Sequence, residues 1–200
     1  MSVYIFIPQE KKNYNKRYYT ILGALLCIIV IIIIESFNFL EVDYLISFLK
    51  FVGISLIILW LYFVFSSITE KEKLYGVLSG EIILTDQEVI LGKEHFKLDE
   101  ILNITIKSDD YEDKFSFVLV NTSYPCKSAG VDNYFEIKLN DSSVRKVQFK
   151  QNYEDEFIKK NRDMLIYFCK LDKISFLALT VILNIDDYDE IQKLKKLIDK

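Results

Sequence analysis

The run Asp109-Asp110-Tyr111-Glu112-Asp113 is a dense carboxylate cluster, and the first chemistry to test on it is binding of a divalent cation. An EF-hand loop needs oxygen ligands at positions 1, 3 and 5, a glycine at 6 and a bidentate glutamate at 12. Counted from Asp109, position 3 is Tyr111, position 6 is Lys114 and position 12 is Val120, so the pattern fails. The cluster reads as a solvated hairpin tip between two strands, with adventitious Ca²⁺ binding as the competing reading. His95, the single histidine, follows Gly92-Lys93-Glu94 and has no Cys, Asp or Ser at motif spacing, which makes it a surface or rim residue. The sequence contains no G-x-S-x-G, no H-E-x-x-H and no phosphate-cradling loop, and six glycines leave little material for one. These patterns predict a non-enzymatic chain with no catalytic, cofactor-binding or metal-ligating residue.

Cys27 falls inside an apolar run, Cys126 in an irregular stretch and Cys169 on an apolar helical face. Three scattered cysteines without a C-x-x-C make neither a disulfide framework nor a zinc site, in keeping with a reducing compartment. The stretch Asn121 to Asn133, which includes Pro125, Cys126 and Gly130, is the longest irregular segment after residue 70. Long loops on a rigid sheet are where binding functions concentrate, and partner contact there stands beside the reading of a passive excursion.

These residues must be positioned by two very different halves. Tyr18 to Ile34 is an uncharged run of 17 residues, and Phe51 to Thr69 is a second of 19 residues. As helices they would be roughly 26 and 28 Å long, close to the hydrocarbon thickness of a bilayer. The expectation is a transmembrane two-helix hairpin over residues 18–69, preceded by an N-terminal tail, residues 1–17. The first run ends Ile34-Glu35-Ser36-Phe37, without the small-residue pair of a signal-peptidase site, so a retained anchor is expected instead of a cleaved signal. Lys11, Lys12, Lys16 and Arg17 precede the first run, Glu35, Glu41 and Asp43 lie between the runs, and Lys71 and Lys73 follow the second. Basic flanks stay inside, which predicts a multi-pass protein of a bacterial cytoplasmic membrane with both termini cytoplasmic. Lys50 sits at the outer end of the second run, where its stem can reach water.

From Glu70 onward there are 25 acidic and 20 basic residues. That sign gives no general attraction for nucleic acid, so the expected partners are the lipid bilayer and a protein or a second copy of the chain, with no small-molecule substrate evident. Residues 70–200 suffice for one domain. Short β-rich runs alternate at Leu78–Thr85, Glu88–Leu91, His95–Leu98, Ile104–Lys107, Phe115–Val120, Tyr134–Leu139 and Lys146–Lys150, with turn residues between them. This reads as an antiparallel meander of about seven strands with one wet face, Phe115–Val120 being the more central strand. After Gln151 the period becomes helical: Asn152 is the expected cap, and Phe157, Ile158, Met164, Leu165, Phe168 and Cys169 share a stripe. Ile174 to Leu183 reads as a short core helix. Asp187-Tyr188-Asp189-Glu190 has capping-box form and opens a last helix that buries Ile191, Leu194 and Ile198.

The stretch Gly80-Glu81-Ile82-Ile83-Leu84-Thr85-Asp86-Gln87-Glu88-Val89-Ile90-Leu91, followed by Phe96 to Ile106, resembles the opening of bacterial pleckstrin-homology-like and GRAM-like domains. The resemblance implies an α+β membrane protein in which a PH-like antiparallel sheet or barrel with C-terminal helices follows a membrane hairpin. It brings no lipid-binding basic motif, because the matching turns hold Asp86, Gln87, Lys93 and Glu94. The function it implies is a non-enzymatic cytoplasmic domain for protein interaction or self-assembly beside the inner leaflet. The alternative is a membrane-anchored sensor or enzyme whose site has no sequence signature.

Overall fold

The computed structural model describes residues 3–9, the helical residues Leu22, Gly23, Leu25, Leu26, Ile28 to Val30, Ile32 and Ile33, and residues 43–116 and 125–198. The chain forms two compact units, one of residues 1–10, 73–114 and 128–200, the other of residues 11–72 and 115–127.

The first unit is built on seven strands: β1 (Val3–Pro8), β2 (Gly76–Leu84), β3 (Glu88–Leu91), β4 (Glu94–Lys97), β5 (Ile101–Lys107), β8 (Asn133–Leu139) and β9 (Val144–Phe149). Two further strands, β6 (Glu112–Phe115) and β7 (Lys127–Ala129), pair separately as a ribbon. The seven are antiparallel throughout, in the order β4-β3-β2-β1-β9-β8-β5. The two outermost strands are also consecutive in sequence, joined through only Leu98, Asp99 and Glu100. Four residue steps reach at most about 14 Å, whereas the edges of a flat seven-stranded sheet lie roughly 29 Å apart. The sheet therefore curls towards closure. Glu100 N–H bonds back to the Lys97 carbonyl, and Asn140 ties the turn with its N–H on the Glu100 carbonyl and its amide on that of Asp99.

The position of β1 is not evident from sequence. Val3–Pro8, in the stretch read as a tail, is the middle strand, bonded to β2 on one side and β9 on the other. Val3 and Ile5 point into the core at 2% and 7% exposure, and Phe6 is buried as well. Gly76, opposite Pro8, has no room for a side chain, since a Cβ there would collide with the Ile7 carbonyl and the Phe6 ring.

Helix α2 (Glu156–Lys170) closes the curled sheet. Phe157, Leu165 and Phe168 are fully buried, and the Phe157 ring lies 5.0 Å from that of Phe149 and 6.0 Å from that of Phe135. The cap differs from expectation: Asp155, in a left-handed conformation, occupies the cap position, and Asn152 bonds the Glu156 carboxylate instead. The turn after α2 covers the β5 edge, with Ile104 N–H on the Lys173 carbonyl and the Lys173 ammonium on the Ile101 carbonyl. Helix α3 (Phe176–Ile182) is capped by Ser175, and α4 (Tyr188–Ile198) by Asp187, whose Oδ1 accepts from the N–H groups of Asp189 and Glu190.

Within α4 Leu194 is 3% exposed, while Lys195 and Lys196 face solvent. Eleven residues are too few for a helix to persist in water without tertiary support, so docking through Leu194 decides whether α4 forms. Leu194→Ala is expected to cost about 2–5 kcal/mol in chemical denaturation and Lys195→Ala no more than about 0.5. Equal effects would show α4 to be undocked.

The second unit carries helix α1 (Asp43–Thr69), apolar on all sides. Its stretch Lys50–Thr69, mean hydropathy 2.3, is the one helix among the described residues long and apolar enough to cross a membrane. This corrects the expected fold class. The described residues of the first run, between Leu22 and Ile33, are helical, and no second candidate span is found among the described residues. With a single candidate span among the described residues, neither the two-helix hairpin nor the multi-pass placement in a bacterial inner membrane is supported, and the inference that both termini are cytoplasmic goes with them. The basic residues Lys11 to Arg17, the loop residues 35–42 and Cys27 lie outside the described residues. At the C-terminal end of α1, Cys126 N–H bonds the Ser67 carbonyl, and the Glu72 N–H bonds the Lys127 carbonyl.

One topological fact constrains any membrane role of α1. The excursion from Gln9 to Tyr75 leaves and re-enters the sheet between neighbouring strands, Pro8 pairing with Gly76 and Gln9 N–H bonding the Tyr75 carbonyl. β1 and β2 therefore lie on the same side of any bilayer that α1 enters.

Candidate functional site

The carboxylate cluster is not a solvated tip throughout. Asp110 is 8% exposed, and its Oδ2 accepts from the Ser128 hydroxyl at 2.8 Å and from Asp132 N–H at 2.9 Å. Its own N–H bonds Oδ1 of the buried Asn133, whose amide returns a bond to the Asp110 carbonyl. Gln151, fully buried, donates to the carbonyls of Ser108 and Asp110 and accepts the N–H of Phe157 in the first turn of α2. Gly130 sits between these segments at φ +74°, and a Cβ there would overlap the Gln151 carbonyl. The cluster thus joins β5, β8 and α2 through buried bonds. Among the described residues no group of three or more His, Cys, Asp or Glu is placed to hold a metal ion. Oδ2 of Asp110 is already engaged by two protein donors.

His95 is exposed on β4 and sits 3.2 Å from the Glu88 carboxylate across the strand pair. Cys126 and Cys169 are buried thiols, and burial, followed by the neighbouring Asp172 charge, pushes the Cys169 thiol up, away from nucleophilic reactivity. The irregular segment 121–133 is described from Pro125 onward, and the expected strand Phe115–Val120 only to Ser116. Phe115 closes β6, outside the seven-stranded sheet, and is exposed. The central place in that sheet belongs to β1.

Two concave features of the first unit are lined by described residues. A cavity of about 270 Å³ is lined by Val3, Tyr4, Leu78, Lys150, Asn152, Glu156 and Lys160. Glu156 is the group there with chemical potential, buried at 4% exposure. Burial alone would raise its carboxyl, but the Asn152 N–H at 2.6 Å and the Lys160 ammonium at 2.5 Å outweigh that and hold it below the usual carboxylate range. A general acid or base near neutrality needs the opposite shift. Because the folded state favours the ionised form, Glu156 stabilises the fold above the carboxylate's ordinary value near 4.5, and that contribution fades as pH falls through its lower folded value. Glu156→Gln is expected to cost about 1–3 kcal/mol at pH 7 and to flatten the loss of stability on acidification below pH 4.5, as read by denaturant titrations across pH. An unchanged acid slope would show the carboxylate to be idle.

The second feature is a groove of about 460 Å³ between α2 and the α3–α4 region. Asp155, Ile158, Lys159 and Arg162 line it from one side, and Glu190, Lys193, Leu194 and Leu197 from the other. Both sets follow the same i, i+3, i+4, i+7 spacing, which brings four side chains onto one helical face. Leu183 and Ile185 add to an apolar floor, while Lys159, Arg162 and Lys193 stand at the rim. Among the described residues Arg162 and Lys193 take no ion-pair partner. Sequence reasoning assigned the Ile158 and Leu194 faces to the core and missed the groove, because the facing of two helices far apart in sequence is settled only by packing. No family model, curated protein or solved structure matches the chain. The groove and its charges are therefore read on their own chemistry.

Proposed function

We propose that this protein is a non-enzymatic interaction module in which the excursion that carries α1 anchors it in a membrane, entering and leaving on the same side, and the sheet-and-helix unit binds a protein partner. The observation that carries the reading is the α2–α4 groove, an apolar floor rimmed by Arg162 and Lys193 with no ion-pair partner among the described residues. Such a surface suits a protein segment presenting apolar side chains flanked by carboxylates. The likeness to PH-like and GRAM-like domains points the same way, towards a curved sheet used as a scaffold for binding. Glu156, the buried carboxylate of the other cavity, is committed to the N-terminal turn of α2 and leaves little for turnover.

A photo-crosslinker placed at the exposed Leu197, in the full chain in its native membrane, tests the reading. A discrete protein adduct is expected, lost when Arg162→Glu and Lys193→Glu are combined and retained with Lys195→Ala. An adduct of twice the chain mass identifies the partner as a second copy. Adducts indifferent to the charge reversals would overturn the groove as the binding surface.

A further inference from the structure

The stripe that fills the core on β1 does not stop where the core stops. Val3 and Ile5 are buried at 2% and 7% exposure, and Ile7, two residues on and on the same face, is 51% exposed. Its cross-strand partner on β2 is Val77, also 51% exposed, and Leu74 just before β2 is 40% exposed. Three branched apolar side chains are thus gathered at the end of the sheet where the excursion begins and ends. Only Glu70, Lys71, Glu72 and Lys73 separate Thr69, the last residue of the apolar helix, from Leu74. Five residue steps span at most about 18 Å. The other end of the excursion is held at the same place, because Gln9 N–H bonds the Tyr75 carbonyl.

We propose that Ile7, Leu74 and Val77 form a lipid-contacting rim, by which the sheet unit rests on the membrane that α1 enters. The proposal rests on the reading of α1 as a membrane anchor. An apolar rim tethered to such a helix by at most about 18 Å of chain can reach the interfacial layer of the bilayer, where shallow burial of apolar side chains is favourable. The α2–α4 groove shares no lining residue with this rim.

Trp60, the single tryptophan, lies within α1 and provides the internal standard. Its indole N–H has no hydrogen-bond partner among the described residues, so Trp60→Phe removes an optical signal and no bond. The full chain is reconstituted in phosphatidylcholine–phosphatidylglycerol vesicles, with and without lipid brominated near the headgroup end of its acyl chains and, separately, near the methyl end. Bromine quenches indole emission on contact. Trp60 in the unaltered chain is expected to lose emission in one or both brominated vesicles, which tests the anchor by itself. In the Trp60→Phe background, Val77→Trp and Ile7→Trp are each expected to lose most of their emission to the headgroup-end bromines and little to the methyl-end bromines. Gln87→Trp, beyond the far end of β2 and roughly 20 Å or more from Val77, is expected to keep its emission. If Trp60 is quenched while Val77→Trp and Ile7→Trp emit like Gln87→Trp, the rim is overturned and the anchor stands. If Trp60 itself is unquenched, the anchor reading fails and the rim falls with it.

Discussion

Deleting residues 1–8 is expected to abolish cooperative unfolding of the sheet unit, although nearly all of its residues lie beyond position 72. β1 is the sole link between β2 and β9, so its loss divides a seven-stranded sheet into β4-β3-β2 and β9-β8-β5. It also withdraws Val3, Ile5 and Phe6, each buried. At about 1.5–3 kcal/mol for each buried apolar side chain, their removal costs roughly 5–9 kcal/mol before any lost strand hydrogen bond is counted. That is comparable to the whole stability of a typical domain, about 5–15 kcal/mol. A chain of residues 74–200 alone should then give a broad, non-cooperative melt by circular dichroism. The converse replacement is expected to succeed. Because Pro8 and Gly76 are paired antiparallel, exchanging residues 9–75 for a short turn makes β1 and β2 an ordinary hairpin. That shortened chain should melt cooperatively. Cooperative melting of the 74–200 chain would show that β1 is dispensable.

Gln151→Ala is expected to be the most damaging single polar substitution. The side chain is fully buried and holds Ser108, Asp110, Asn133 and Phe157 at once. The Asp110 carbonyl keeps a second donor in Asn133, whereas the Ser108 carbonyl and the Phe157 N–H lose the bonds that satisfy them. Two buried groups left unsatisfied at about 1–3 kcal/mol each predict a loss of roughly 2–6 kcal/mol. The neighbouring Asn152→Ala keeps the backbone N–H bond to Glu156 and removes only the 3.1 Å amide contact, so it should cost about 1 kcal/mol or less. Denaturant midpoints of the two variants measure the difference. If they fall together, the junction of β5, β8 and α2 does not depend on Gln151.

Amphipathic period by itself determined the local elements. The alternation at Tyr134–Leu139 and Val147–Lys150, the α2 stripe through Phe157, Leu165 and Phe168, and the Asp187 cap with Leu194 beneath it are all legible, because each depends on side chains two to four positions apart. Composition likewise marked Phe51–Thr69 as apolar enough to span a bilayer, within one residue of the candidate span Lys50–Thr69. What tertiary structure decided is whatever joins distant positions. Val3-Tyr4-Ile5-Phe6-Ile7 carries no polar alternation, since a strand flanked on both sides and buried in part on both faces needs none, and so nothing local sets it apart from an apolar tail. The Asp109–Asp113 cluster looks like a solvated tip because the partners that bury Asp110 lie at Ser128, Asp132 and Asn133. The groove exists only once α4 is laid beside α2, and the Ile7–Val77 pair only once a 67-residue excursion returns to its origin. Each of these rests on a contact between residues far apart in the chain, and such contacts leave no periodic trace in the sequence.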